Sequence, residues 1–114
     1  LQASIEKNVE QAARVAARVR ETPQLELMAP APLNLVCFRW RGDPALDDAR
    51  LDALNTELVM RIQESGLAVP STTRLGGRTV IRLAIVNRRS ERADFAELLE
   101  AVVREGRRLA GAPA

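Results

Sequence analysis

The sequence predicts an α+β fold, a mainly antiparallel sheet of three to four strands with helices packed on one face. Three observations carry this. Apolar residues recur at helical spacing in three separate stretches. Between those stretches lie short runs rich in aliphatic and β-branched residues, as strands require. Two of these runs flank Gly76-Gly77, which reads as a tight hairpin turn. The resulting order is helix, short strand, strand, helix, strand, strand, helix. Strands that come in pairs, with helices between the pairs, suit an antiparallel sheet carrying a helical layer. The length of 114 residues is enough for one compact domain, and 1–114 is read as a single unit.

Residues 3–20 read as the first helix, with Ile5, Val9, Ala12, Ala16 and Val19 on one face. Glu10 precedes Arg14 by four residues, a weakly stabilising pair. The alanine-rich face allows close approach to a partner but buries little area. The chain opens on this helix without a cap or turn before it, as a segment cut from a longer polypeptide would. Pro23 stops the helix, and residues 25–28 suit a short edge strand broken by Ala29-Pro30-Ala31-Pro32. Residues 33–40 form a strong strand, apolar on both faces except near its ends, which suits a central strand covered on both sides.

Gly42-Asp43-Pro44 marks the next boundary, with Asp43 expected as N-cap and Pro44 as first helical residue. Asp47 and Asp48 follow where the helix dipole favours anions. Leu51, Leu54, Leu58 and Ile62 form the stripe of this second helix, widened by Val59, and Gly66 is expected to close it. The hairpin occupies 67–86. Pro70 limits its first strand, which is expected to be irregular or at an edge, and Asn87 ends the second. Ser90 is expected to cap a last helix whose apolar face is Phe95, Leu98, Leu99, Val102 and Val103, with Gly106 or Gly111 ending it and 112–114 frayed.

Composition narrows the function. Sixteen arginines and one lysine, Lys7, stand against fifteen acidic residues, giving a net charge of +2. The charges are mixed along the chain, and Phe38, Phe95 and Trp40 are the whole aromatic complement. A nucleic-acid surface would concentrate basic residues beside stacking rings, so no nucleic-acid partner is expected. No stretch approaches the ~18 consecutive apolar residues of a membrane span, so no membrane partner is expected. Histidine is absent, which removes the commonest general base and metal ligand. Cys37 is the single cysteine, in an apolar run, and reads as a small buried hydrophobe in a reducing, cytoplasmic setting. Ser71, Thr72 and Thr73 have no accompanying base, and Asp43, Asp47, Asp48 and Asp52 fit capping and a solvated helix face. Gly76-Gly77 opens no helix and is no phosphate loop. No catalytic and no metal-ligating residue is therefore expected in this chain.

Arg82 is the exception. In the run 80–86, Ile81, Leu83 and Ile85 fall on one face, and Val80, Arg82, Ala84 and Val86 on the other. With the first set turned to the helices, the second is expected to lie uncovered, and such an apolar face calls for a partner. The guanidinium in its middle must find an anion, stay wet or sit at an interface. Its planar fork matches a carboxylate, and a strand holds it rigidly. Alternatives for the whole chain are a free-standing α+β dimerisation or ligand-binding module using the open face, and an RNA-binding sheet with Phe38 and Trp40 as stacking rings.

The order and spacing of several residues resemble the C-terminal small domain of pyridoxal-phosphate-dependent group II amino-acid decarboxylases. They run from Leu33-Asn34-Leu35-Val36-Cys37-Phe38-Arg39 through Leu54-Asn55 and Ser65-Gly66 to Thr73, Leu75, Gly77, Ile81-Arg82 and Asn87, then Asp94 and Leu98. The resemblance covers nearly the whole chain. It implies a helix-flanked antiparallel sheet that closes over an active site built by a larger domain of the same polypeptide, in a homodimer acting on an amino acid. It implies pyridoxal phosphate as cofactor of the longer enzyme, bound elsewhere, because the family's cofactor lysine and stacking histidine have no counterpart here. It also implies a substrate-carboxylate contact for Arg82 and a structural role for Arg39. The chain alone is expected to be inactive.

Overall fold

The computed structural model describes residues 2–29, 33–62, 68–86 and 95–111, with side chains from residue 8 onward. Its elements are α1 (Gln2–Glu21), β1 (Leu25–Ala29), β2 (Leu35–Trp40), α2 (Asp48–Ile62), β3 (Ala68–Leu75), β4 (Arg78–Ile85) and α3 (Phe95–Gly111). The four strands form one antiparallel sheet in the order β1-β2-β4-β3. The expected α+β architecture is the one observed.

Strand alternation divides the sheet. Val36, Phe38 and Trp40 of β2 and Ile81, Leu83 and Ile85 of β4 are buried, and they join Ala12, Val15, Ala16 and Val19 of α1, Leu54 and Leu58 of α2, and Leu99 and Val102 of α3 in one core. All three helices therefore lie on one face. The core is aliphatic apart from Phe38 and Trp40, as the composition requires. Val15 belongs to the buried face of α1, beside the Ala12 and Ala16 that periodicity picks out.

The joints are made by particular residues. Past the last β2–β4 pair, Phe38 with Ile81, the two strands stop bonding each other and α2 takes over. The Asn55 amide, wholly buried, accepts from the Trp40 N–H at 2.8 Å and donates to the Trp40 carbonyl at 3.1 Å and the Leu51 carbonyl at 2.8 Å. One turn earlier, Asp52 accepts the Thr79 N–H at 2.9 Å and faces Arg74 at 3.7 Å. The side chains of a helix thus finish a strand ladder. This fixes β2, β4 and the hairpin end to one another, because a buried backbone group left without a partner is costly.

Several expectations change. The cap of α2 is Asp47, whose carboxylate accepts the Arg50 N–H at 2.8 Å. Asp43 accepts the Ala45 N–H at 2.9 Å and makes a turn of its own, so Pro44 precedes the helix instead of starting it. Asp52 anchors the hairpin instead of facing solvent. β2 is central but covered on one side only, with Leu35 and Cys37 half-buried. β3 runs on through Pro70 without a break. As an edge strand it has an outer side where a missing N–H costs no ladder bond. β1, the other edge, carries a bulge between Leu27 and Ala29.

Gly106 does not end α3. It is buried inside the helix, and a Cβ there would lie 2.3 Å from Cδ1 and Nε1 of Trp40. The absent side chain lets the indole reach the helix backbone. The expected closing Gly66, the strand end at Asn87 and the cap Ser90 lie outside the described residues, as do Ser65, Asp94 and 112–114.

Candidate functional site

The face of the sheet turned away from the helices holds the site. β4 sits between β2 and β3, and its Arg82 pairs with Cys37 on one side and Ser71 on the other. The Ser71 hydroxyl donates to the Arg82 carbonyl at 3.4 Å, tying the edge strand to the same residue. Arg82 is exposed in the centre of this face. Around it Leu35, Cys37, Val69 and Ala84 are half-buried. Among the described residues no carboxylate pairs with it. The arrangement is a charged fork on a strand flanked by two paired strands, with aliphatic residues and Ser71 around it. Chemically it can bind and orient an anion. It offers no nucleophile–base pair.

Cys37 reports on this charge. Burial pushes its thiol pKa up, and the Arg82 guanidinium pulls it partly back down. The cation therefore acts across the strand pair onto the thiol, and Arg82 and Cys37 share one electrostatic environment.

The face is not open along its whole length. Val80 is fully buried although it stands outside the helical core, which corrects the expectation that it lies uncovered with Arg82. Continuing the β2–β4 register one step sets Arg39 beside it. Arg39 is itself only 2% exposed, faces Asp48 at 3.7 Å, and among the described residues its Nε has no hydrogen-bond partner. Arg39 and Arg82 are thus distinguished by burial, and Arg78, at the hairpin end of the same face, is exposed like Arg82. Arg39 is drawn into the fold next to the start of α2, whereas Arg82 is presented outward. Ala84 and Val86 are half-buried and stay on the accessible part.

Two polar residues that matter to the site's support, Asn55 and Asp52, were not singled out by periodicity. The signal for Asn55 was present, since a polar residue four positions after Leu51 and beside Leu54 falls within the apolar stripe. Among the described residues no group of acidic or cysteine side chains is arranged to hold a metal ion, and no helix is long and apolar enough to cross a membrane.

No family model matches the chain. Among curated proteins, it is 36% identical over 91 residues to the aromatic-L-amino-acid decarboxylase of Sus scrofa, covering 80% of this chain and 17% of the relative. It is 28% identical over 96 residues to that of Bacillus atrophaeus, covering 84% of this chain and 20% of the relative. Among solved structures, Oryza sativa TDC with PLP and tryptamine superposes with a TM-score of 0.79 at 28% identity, over 95% of this chain and 23% of that one. The glutamate decarboxylase domain of a Vibrio parahaemolyticus protein superposes with a TM-score of 0.73 at 28% identity, over 93% of this chain and 22% of that one. The chain thus spans about a fifth of the length of the relatives it matches.

The residues present do not fit a pyridoxal-phosphate holder. The sole lysine, Lys7, lies on α1, in the helical layer across the sheet from Arg82, and the sequence has no histidine to stack on a ring. What the chain shares with these enzymes, over nearly its whole length, is the fold of one sheet with helices on one face. By sequence and by fold it belongs to the pyridoxal-phosphate-dependent group II amino-acid decarboxylases, corresponding to their small α+β domain.

Proposed function

We propose that this chain is the C-terminal small domain of a pyridoxal-phosphate-dependent amino-acid decarboxylase, where it closes over the active site and supplies Arg82 to the substrate carboxylate. The observation that supports this most directly is an exposed guanidinium on the middle of a rigid sheet, on the one face without helices and with no described carboxylate beside it. A strand holds such a fork more firmly than a loop would, which is what orienting a carboxylate requires. The half-buried apolar residues around it suit contact with the rest of the same polypeptide, which would exclude water from the ion pair and strengthen it. Aromatic amino acids are the substrate class, in line with the curated relatives, and the enzyme is a cytoplasmic homodimer. Among the described residues no acid–base pair stands beside Arg82, and the sequence has no histidine, so the chain binds and positions but is inactive by itself.

The test uses the full polypeptide that contains this chain, assayed for carbon dioxide release from L-tryptophan and other aromatic L-amino acids. Arg82→Ala raises KM by about 10- to 100-fold, the loss of one charge-assisted hydrogen bond of ~1.5–3 kcal/mol. Arg82→Lys restores part of it, and bound-cofactor absorbance is unchanged in both. An unchanged KM in Arg82→Ala sinks the role of the arginine, and absence of decarboxylation in the unsubstituted protein sinks the activity.

A further inference from the structure

On the helical side of the molecule, residues of α1 and α3 line a groove. One hollow of about 520 Å³ lies between the end of α1 and α3, and a second of about 390 Å³ continues it along α1, the two sharing Arg18 and Ala96. The floor is aliphatic, with Ala96, Leu99 and Val103 of α3 along the longer hollow. The rim is basic. Five arginines line the two hollows, Arg14, Arg18, Arg104, Arg107 and Arg108, against two carboxylates, Glu21 and Glu100. Arg104 and Arg108 already lean on Glu105, at 4.0 and 3.2 Å. Among the described residues Arg14, Arg18 and Arg107 pair with no carboxylate. The charge comes from both walls, while the chain as a whole carries only +2.

We infer that this groove docks an acidic amphipathic helix of a protein partner. An aliphatic floor between two helices takes apolar side chains spaced three and four apart, and arginines on both walls take carboxylates flanking that stripe. A helix of about 14 residues, roughly 20 Å long, matches the stretch of α3 that lines the groove. Polynucleotide recognition fits less well, because base stacking needs aromatic rings and Phe95 alone, half-buried, stands at this site. The groove lies across the sheet from Arg82, so occupation leaves the carboxylate-binding face free.

The test is fluorescence anisotropy of the 114-residue chain with a labelled 14-residue peptide carrying leucines at i, i+3, i+4 and i+7 and glutamates at the flanking positions. Binding is expected in the micromolar range. It weakens at least tenfold in Arg18→Glu/Arg107→Glu and is unchanged in Arg50→Glu, a charge reversal at an exposed position of α2 away from the groove, with circular dichroism confirming the fold of each variant. No binding, equal binding by the double variant, equal binding by a serine-for-leucine peptide, or tighter binding of an oligothymidylate of matching charge each overturns the inference.

Discussion

Replacing Asn55 by alanine tests the central claim about how this sheet is held together. The substitution deletes three hydrogen bonds, from Trp40 N–H at 2.8 Å, to Trp40 C=O at 3.1 Å and to Leu51 C=O at 2.8 Å. The Leu51 carbonyl keeps its place in the helix, so its loss is minor. The Trp40 N–H and C=O face α2 at the point where β4 no longer reaches them, so both are left buried without a partner. Each such group costs about 1–3 kcal/mol, and a small cavity adds to it, for a total of roughly 4 kcal/mol. A domain of this length holds on the order of 6–17 kcal/mol in all. With a urea m-value of ~2 kcal/mol/M, the unfolding midpoint falls by about 2 M. Far-UV circular dichroism and the fluorescence of the single tryptophan should give coincident transitions. Met60→Ala, on the exposed side of the same helix, serves as control and shifts stability by less than ~0.5 kcal/mol. A loss below ~1 kcal/mol for Asn55→Ala would show that α2 does not complete the ladder.

Three further outcomes are expected. Gly106→Ala gains ~1 kcal/mol of helix propensity but drives a methyl against Trp40, and it lowers stability by about 1–3 kcal/mol with a shifted tryptophan emission; an unchanged melting temperature would refute the close packing. Cys37 reacts with iodoacetamide more slowly than a free thiol at pH 8.5, and more slowly still in Arg82→Ala, because burial raises its pKa and the guanidinium opposes that. The sign for stability follows: a folded pKa above the unfolded value means that the unfolded chain loses its proton first, so the thiol's contribution is complete below about pH 8.5 and is lost as pH rises through the folded value. A rise in stability across that window, or faster alkylation in Arg82→Ala, contradicts the assignment. Asp52→Ala removes the acceptor for the Thr79 N–H and costs about 1–2 kcal/mol by urea melts, whereas an effect within ~0.5 kcal/mol would mean that the hairpin end is held by its own strands.

The sheet and helix order could be read from the sequence because alternation in β4 and the stripe of α2 are each long and unambiguous. The exposed position of Arg82 was legible for the same reason, since a period of two sets it with Val80, Ala84 and Val86 on one face and Gly76-Gly77 fixes the hairpin. What escaped depends on contacts between elements distant in sequence. Asp43 and Asp47 are equally good caps by residue type, and the choice is settled by where the chain can turn while leaving Leu46 against the core. Gly106 looks like a helix stop until Trp40 is known to lie against it. Val80 looks open until Arg39, on the neighbouring strand, is known to be buried beside it. The last two follow from no local pattern, because each depends on a residue far off in the chain.

The two edges of the sheet have a consequence for how the molecule behaves in a crowd. β1 and β3 each have one flank free of ladder partners among the described strands, and such flanks are where one chain can template another. The bulge in β1 turns its backbone out of register, and Pro70 in β3 leaves a gap in the row of donors. Neither flank is a regular rail on which a foreign strand can zip. Contacts between molecules are thereby steered to the broad faces, where Arg82 on one side and the arginine-rimmed groove on the other select by charge and shape, and indiscriminate strand-to-strand growth is disfavoured even while the open face is waiting for its partner.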